Sequence, residues 1–115
     1  MPYLKLTTNQ TINPEVTSPL LCELSQLIAK ETGKPERYVM IELDKNETML
    51  FAGGNQPLAF VVCKSIGLSS QQSKSLAKSI CRLLENSLQI QPERVYIEFS
   101  NCPAEFWGWN SSTFG

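Results

Sequence analysis

The chain has 115 residues, of which 42% are hydrophobic and 18% are charged, and these are the proportions of one ordinary globular domain. Ten basic and eleven acidic residues give a net charge of −1 without a Lys/Arg stripe, so nucleic acid is not an expected partner. No apolar run is long enough to span a membrane and the first residues do not resemble a signal peptide, so we expect a cytoplasmic protein with no membrane partner.

The first half of the chain predicts a strand, a helix and a second strand. Alternating apolar and polar residues place the first strand near residues 2–7, with Pro2 at its start, where proline blunts a strand end. The pair Ser18-Pro19 predicts a helix with a serine N-cap and proline at its first position, and Gly33 ends that helix. The next alternating run predicts a strand near 38–43.

The second half predicts the same order of elements. The glycines of Gly53-Gly54-Asn55 predict a turn between strands, and an apolar run near 58–64 predicts the third strand. A capping box at Ser69–Gln72 predicts the start of the second helix, and a fourth strand is expected near 95–99.

An internal repeat supports this division of a single domain, residues 1–115, into halves of 1–56 and 57–115. The segment KPERYVMIEL (34–43) is echoed by QPERVYIEF (91–99). Each half is β-α-β, and such crossovers are almost always right-handed, so the two halves predict one four-stranded mixed sheet with both helices on the same face. The predicted fold class is α+β.

The predicted sheet has a second face that the chain cannot cover. The third strand, Leu58-Ala59-Phe60-Val61-Val62-Cys63, is apolar on both sides, and no residues remain to form another layer. A partner subunit is the expected cover, and closed cyclic symmetry is the usual arrangement. We therefore expect an oligomer.

The side chains that the sequence lacks narrow its chemistry. Without histidine, the chain cannot form a Ser-His-Asp or Cys-His site or an H-E-x-x-H metal helix, and it carries no glycine-rich phosphate loop. Its four cysteines are widely spaced, so neither disulfides nor a metal site is predicted: Cys22, Cys63, Cys81 and Cys102. A base must come from a carboxylate, lysine, tyrosine, cysteine or the chain terminus.

Five motifs in register resemble the macrophage migration inhibitory factor and D-dopachrome tautomerase family over essentially the whole chain. They are the N-terminal Met-Pro, T-G-K-P at 32–35, S-I-G at 65–67, R-V-Y-I at 94–97 and G-W-N-S-S-T-F at 108–114. The resemblance implies the predicted β-α-β fold, assembled as a homotrimer whose sheets enclose a central channel.

The resemblance also implies an activity. In this family the initiator methionine is removed and the secondary amine of Pro2 is the catalytic base of a keto-enol tautomerase. The substrates are arylpyruvates such as phenylpyruvate and dopachrome analogues, and no cofactor or metal is required. A nearby cation and an apolar pocket disfavour the charged amine and so lower its pKa.

Further residue roles follow from the resemblance. Lys34 pairs with the substrate carboxylate or the enolate, although on residue type alone it is typical of a solvated lysine after a helix. Ser65 and Ile66 belong to the binding segment, where Ile66 offers its backbone N–H to the carboxylate. Aromatic residues form the walls of pockets built between subunits: Tyr38, Tyr96, Trp109 and Phe114. Without the resemblance, GWNSSTFG is typical of a loose tail.

Three departures from the family pattern bear on activity. Glu98 stands where close relatives have asparagine, and a carboxylate there opposes an anionic substrate and raises the pKa of a neighbouring amine. Trp107 replaces a smaller residue and is expected to narrow the pocket rim. The family's C-A-L-C thiol motif falls on Leu58–Val61, which leaves no basis for thiol-disulfide chemistry. We expect weak arylpyruvate tautomerase activity.

Two alternatives to a simple tautomerase remain open. Animal members of the family also act as secreted cytokines through a receptor, which implies a receptor partner and secretion without a leader. Members of the wider superfamily pair the same proline with a carboxylate that activates water, so Glu98 leaves a hydratase or dehalogenase role open.

Overall fold

A computed structural model describes all residues, 1–115, and shows two long helices against a four-stranded sheet, followed by a short hairpin. The elements are β1 (Tyr3–Thr8), α1 (Pro14–Thr32), β2 (Met40–Asp44), β3 (Ala59–Ile66), α2 (Ser70–Leu88), β4 (Val95–Cys102), β5 (Gly108–Trp109) and β6 (Ser112–Thr113). Neither long helix has the length and apolar composition needed to cross a membrane.

The sheet has the mixed topology that the repeat predicts. Its strand order is β2-β1-β3-β4, in which β1 pairs parallel with β2, β3 pairs parallel with β4, and β1 and β3 pair antiparallel in the middle. Each parallel pair is joined through one helix, because parallel neighbours need a long crossover. The prediction of two β-α-β units in one α+β sheet is confirmed.

One face of the sheet holds the core. Alternate side chains of the two central strands, such as Leu4, Leu6 and Val61, are fully buried beneath the helices. The apolar stripes of both helices pack on this face: Leu20, Leu24 and Ile28 of α1, and Leu76, Ile80 and Leu84 of α2. Each such side chain contributes about 1.5–3 kcal/mol through burial, so this layer stabilises the domain.

The opposite face, here called the open face, is not covered within one chain. Met40 and Tyr96 on this face are each 65% exposed, and Phe60 is 37% exposed. Leu50, in the loop before β3, is 73% exposed. Exposed apolar area of this kind on a sheet is the basis for the predicted partner subunit.

The predicted start of α1 is wrong. The helix begins five residues earlier at Pro14, and its N-cap is Asn13, whose side-chain oxygen accepts a hydrogen bond from the Glu15 N–H at 3.1 Å. Both Asn13-Pro14 and Ser18-Pro19 fit the pattern of an N-cap followed by proline. The hydrogen bond from Glu15 to Asn13 shows that the helix begins at the first pair. Pro19 therefore lies inside the helix, in its second turn, and the predicted N-cap Ser18 is an ordinary helical residue.

The predicted start of the second strand also differs from the structure. Pro35 precedes a 3-10 turn at Glu36–Tyr38, and β2 begins only at Met40. Proline fixes φ near −65°, which suits this turn and delays the extended backbone. Tyr38 is therefore a turn residue rather than a strand residue, and the alternation of side chains along β2 does not fix its direction.

The turn predicted at the middle of the chain is confirmed and is held by one arginine. Ala52 and Gly53 have φ of 53° and 75° between the bridged residues Phe51 and Gly54. The Arg94 guanidinium donates to four backbone carbonyls of this segment: Phe51 at 2.7 Å, Gln56 at 3.0 Å, Gly54 at 3.1 Å and Pro57 at 3.4 Å.

Replacing Arg94 with lysine is expected to lower the free energy of unfolding by about 1.5–3 kcal/mol, the range for hydrogen bonds to a charged group. An ammonium cannot reproduce the guanidinium's fork, so several carbonyls lose their donor. Urea unfolding measures the change, and Arg82→Lys on the exposed side of α2 is the matched control. Equal unfolding midpoints for the two variants would refute this role.

Candidate active site

A cavity of about 660 Å³ lies at the end of the sheet where β1 begins. Its lining is mostly apolar and aromatic, and comes from the N-terminus, the turn before β2, the end of β3 and the C-terminal hairpin. Pro2 and the retained Met1 both line it. A concave, largely apolar site with few polar groups is typical of small-molecule binding.

Pro2 is fixed at the centre of this site by the strand that follows it. Its side chain is buried, and its carbonyl accepts a hydrogen bond from the Met40 N–H at 3.0 Å. Because β1 is a central strand, β2 lies on one side of Pro2 and β3 on the other. The sheet therefore holds the terminus in one position.

The C-terminal residues form an ordered aromatic wall, so the expectation of a loose tail is wrong. Strands β5 and β6 form a hairpin through Asn110 and Ser111, whose φ values are 52° and 66°. This backbone is the type I′ turn that favours tight hairpins, and asparagine tolerates its first position. The sequence NSS therefore closes a turn rather than opening a flexible end.

Three aromatic rings contact one another in this wall. The Tyr38 ring meets Trp109 edge-on at a centroid distance of 5.3 Å and Phe114 at 5.8 Å, while Trp109 stacks on Phe114 at 5.6 Å. The Phe114 N–H also donates to the Trp107 carbonyl at 3.1 Å. Such contacts fix the rings, giving a rigid surface for a planar ligand.

The N-terminal amine lies in a field that favours its neutral form. Burial lowers the pKa of the Met1 amine, and the positive charge of Lys34 lowers it further. Removal of Met1 places the free amine on Pro2, one residue deeper in the same site. A lowered pKa increases the fraction of unprotonated amine at neutral pH, which is the form that acts as a base.

Tyr3, the other titratable residue beside Pro2, does not suit the role of base. Its hydroxyl donates to Glu42 at 2.5 Å, and this hydrogen bond raises the pKa of Tyr3 to about 12. The phenol therefore stays protonated at neutral pH. The amine is the better base.

Known proteins resemble this chain over its whole length. The family model for macrophage migration inhibitory factor (MIF) matches residues 1–115. The chain is 39% identical to a macrophage migration inhibitory factor homolog of Brugia malayi over the full length of both, and 37% identical to macrophage migration inhibitory factor of Mus musculus over 99% of each. The crystal structure of a homologue from Prochlorococcus marinus is 38% identical, covers 98% of this chain and 99% of its own, and superposes with a TM-score of 0.92.

The chain belongs to the MIF family. The sequence resemblance is confirmed, and the fold is the MIF/tautomerase fold. Of the residues that the family pattern assigns to the site, the structure gathers five around one cavity: Pro2, Tyr38, Trp107, Trp109 and Phe114. Trp107 lines the cavity, and its narrowing of the pocket rim stays a prediction.

The T-G-K-P and S-I-G residues of the MIF pattern lie close to this cavity without lining it. Lys34 follows Gly33, whose φ of 72° ends α1, and its charge acts on the terminal amine. The register of β1 with β3, extended by two residues, places Pro2 opposite Ser65 and Met1 opposite Ile66. The Ser65 side chain, however, is buried on the core face, and its hydroxyl has no hydrogen-bond partner.

Two residues of the MIF pattern lie elsewhere in the same chain. Tyr96 borders a separate apolar hollow of about 470 Å³ on the open face, where its ring is 4.5 Å from that of Phe51. Glu98 is exposed on the open face, opposite Val62 of β3. Neither residue lines the Pro2 cavity of its own chain, so their participation there requires a neighbouring subunit.

Sequence reasoning missed several residues that line the cavity: Arg37, Met40, Lys64, Cys102 and Phe106. Lys64 carried a usable signal, because it precedes S-I-G and the alternation of β3 places it on the open face beside Tyr3. The sequence gives no comparable signal for Arg37, since its position depends on the 3-10 turn.

The Cys63 thiol lies in the core, where burial raises its pKa to about 11, so it is a poor nucleophile.

Proposed function

We propose that this protein is a cofactor-independent keto-enol tautomerase of the phenylpyruvate or dopachrome type, with the amine of Pro2 as general base. Family membership and fold support an isomerase-type enzyme in general. The observation that carries the specific reaction is that the buried Pro2 lines one cavity together with the aromatic wall, at a terminus where the charge of Lys34 lowers the pKa of the amine.

The reaction needs only a proton carrier and stabilisation of one negative charge. In the enolisation direction, the Pro2 nitrogen takes a proton from the carbon beside the substrate carbonyl. The C–H electron pair forms the C=C bond, and charge moves to the carbonyl oxygen. Lys34 stabilises that charge or the adjacent carboxylate, and the ammonium of Pro2 returns the proton to oxygen. The aromatic wall holds the aryl ring.

The proposed enzyme is a homotrimer with sites between subunits. The exposed apolar side chains of the open face and the hollow beside Phe51 and Tyr96 support this assembly. Cyclic closure would bury this surface and would allow Tyr96 and Glu98 to reach a neighbour's Pro2 cavity. Sedimentation equilibrium is expected to give a trimer at micromolar concentration, and a stable monomer would refute the shared site.

Ketonisation of phenylpyruvate enol tests the proposed activity. The protein is first checked by mass spectrometry for removal of Met1, and the decay of enol absorbance is compared with the rate in buffer alone. Turnover by the processed protein is expected. A decay no faster than buffer for both phenylpyruvate and a dopachrome analogue would refute the proposal.

Replacing Glu98 with asparagine is expected to improve arylpyruvate turnover. If Glu98 reaches a neighbour's cavity, its negative charge favours protonated Pro2 and repels the substrate carboxylate. The variant should therefore show a lower Michaelis constant and a rising limb of the pH–rate profile that is shifted to lower pH. Glu85→Asn, exposed on α2, is the control.

Either of two outcomes would overturn this role for Glu98. Superimposable pH profiles of the wild type and Glu98→Asn would place its carboxylate in solvent. Loss of turnover in Glu98→Asn would assign the carboxylate a catalytic role, as in the hydratase or dehalogenase alternative.

The shared name of the relatives supports a second, cytokine-like function through a receptor partner. Binding of that kind does not require a free base. A cellular response that survives in Pro2→Gly, in which tautomerase activity is lost, would favour it over the enzymatic function.

A further inference from the structure

The Pro2 cavity contains two cationic side chains that the proposed reaction does not use. Arg37 and Lys64 both line it, and no aspartate or glutamate does. The one ion pair of the protein joins Lys5 to Asp44, so neither Arg37 nor Lys64 has a carboxylate partner. Both side chains are exposed to solvent.

The two cations approach the cavity from opposite sides of Pro2. Met40 of β2, Tyr3 of β1 and Lys64 of β3 lie in one row across the sheet. Since neighbouring strands are about 4.8 Å apart, Met40 and Lys64 are separated by roughly 10 Å. Arg37 precedes Met40 by three residues, in the 3-10 turn at that edge.

Arg37 is also held against the aromatic wall. Its guanidinium carbon lies 4.8 Å from the centre of the Tyr38 ring, within the range of a cation–π contact. Tyr38 in turn contacts Trp109 and Phe114. The guanidinium is thus placed beside the surface on which an aryl ring would lie, where its fork can bind a planar anion.

A substrate with a single carboxylate leaves positive charge in this site unmatched. Lys34 lies near the amine and accounts for one carboxylate or enolate, while Arg37 and Lys64 add two further positive charges. Because the Arg37 and Lys64 side chains are exposed, water solvates them in the free protein, and a ligand that fills the cavity must replace that water with anionic or polar groups. If a neighbour's Glu98 also reaches this cavity, its carboxylate and the single carboxylate of the substrate still leave one of the three positive charges unmatched, so the surplus points to a second anionic group on the ligand.

We propose that Arg37 and Lys64 form a second anion subsite, which selects aromatic 2-oxo acids that carry another anionic group on the ring. This inference rests on the proposed tautomerase function for the reaction itself, but the subsite is a binding property. A cavity of about 660 Å³ has room for an aryl ring with substituents at both ends.

A matched pair of substrates tests the selection. We expect the kcat/KM for 4-carboxyphenylpyruvate to exceed that for phenylpyruvate by about tenfold or more, the effect of one added charge-assisted hydrogen bond. In Arg37→Gln and Lys64→Gln this ratio should fall toward one, whereas Lys78→Gln on α2 should keep it. A ratio of one or below in the wild type would overturn the proposal without any variant.

A binding measurement separates this subsite from the proposed activity. The chain's two tryptophans, Trp107 and Trp109, both line the cavity, so their fluorescence reports its occupancy. Terephthalate, a dianion, is expected to bind at least about tenfold more tightly than benzoate, with a preference that weakens in Lys64→Gln. If phenylpyruvate is not turned over but this preference is present, the subsite stands and the tautomerase proposal fails. Equal affinities of the wild type for the two acids would refute the subsite.

Discussion

Protein that retains Met1 is expected to lose at least about a hundredfold of the arylpyruvate tautomerase activity of the processed form, since a general base contributes roughly that much or more. Retention converts the Pro2 nitrogen into an amide, which cannot accept a proton. Met1 also lines the cavity that the substrate would enter, so its removal widens the space around Pro2. The ketonisation assay measures the loss on samples whose N-terminus is verified by mass spectrometry.

Pro2→Gly keeps a free N-terminal amine but removes the secondary amine of proline, so it tests whether the proline itself is needed. The variant keeps a free amine, but a primary one of different basicity and greater backbone freedom, so most of the activity should be lost while the fold and assembly are retained. Pro57→Gly is the matched control, because Pro57 occupies the corresponding place before β3 in the second half of the chain. Full activity in Pro2→Gly or in the Met1-retaining form would remove Pro2 from the mechanism.

Lys34→Gln is expected to lower kcat/KM at neutral pH by roughly ten- to a hundredfold, the effect of losing a hydrogen bond from a charged group. Two effects contribute to this loss. The substrate carboxylate or enolate loses its cationic partner, and the terminal amine loses a charge that lowers its pKa. The second effect can be measured separately from the first.

The pH dependence gives that separation. Without Lys34 the pKa of the amine rises, so the protonated, inactive form persists to higher pH and the rising limb of the kcat/KM profile moves upward in pH. Lys78→Gln removes a charge of the same kind from the exposed surface of α2 and should leave the midpoint in place. An unchanged midpoint in Lys34→Gln would contradict the electrostatic role.

The fold followed from the sequence where local signals agreed with one another. The repeated P-E-R segments marked equivalent points of the two halves, and alternation in β1 distinguished its core side chains from the others. The start of α1 was missed because two prolines offered the same N-cap pattern, and only the packed structure distinguishes Asn13 from Ser18. The local sequence does not show which of two such N-cap residues begins the helix.

The site was predictable only in part, for physical reasons that differ among its residues. Pro2 and the aromatic residues Tyr38 and Trp109 were identified through the family resemblance, because residue type alone assigns them no role. The aromatic wall depends on a type I′ turn at Asn110, a weaker turn signal than Asn-Gly. The placement of Arg37 depends on a 3-10 turn that follows a proline, and strand alternation does not predict it.

Residues that a second subunit adds to the site are not predicted by local sequence patterns or by the structure of one chain. The family resemblance assigned Tyr96 and Glu98 to the pocket, but in one chain they lie on the open face, away from Pro2. Tyr96 and Glu98 contribute to a neighbour's cavity only if the contact between the open faces of two subunits brings them there. Sedimentation equilibrium tests the assembly independently of Pro2, and the Glu98→Asn profile tests the contribution of Glu98 through the protonation of Pro2.

We expect the surroundings of the Pro2 amine to lower its pKa, so that the amine is an unprotonated base at neutral pH. An NMR titration of the processed protein with ¹⁵N-labelled proline measures this pKa. The same protein unfolded in urea gives the ordinary pKa of this N-terminal proline. Burial and the charge of Lys34 lower the pKa of the Met1 amine, and we expect the same surroundings to place the folded-state midpoint of the Pro2 amine below the unfolded one. A folded midpoint equal to or above the unfolded value would contradict the account.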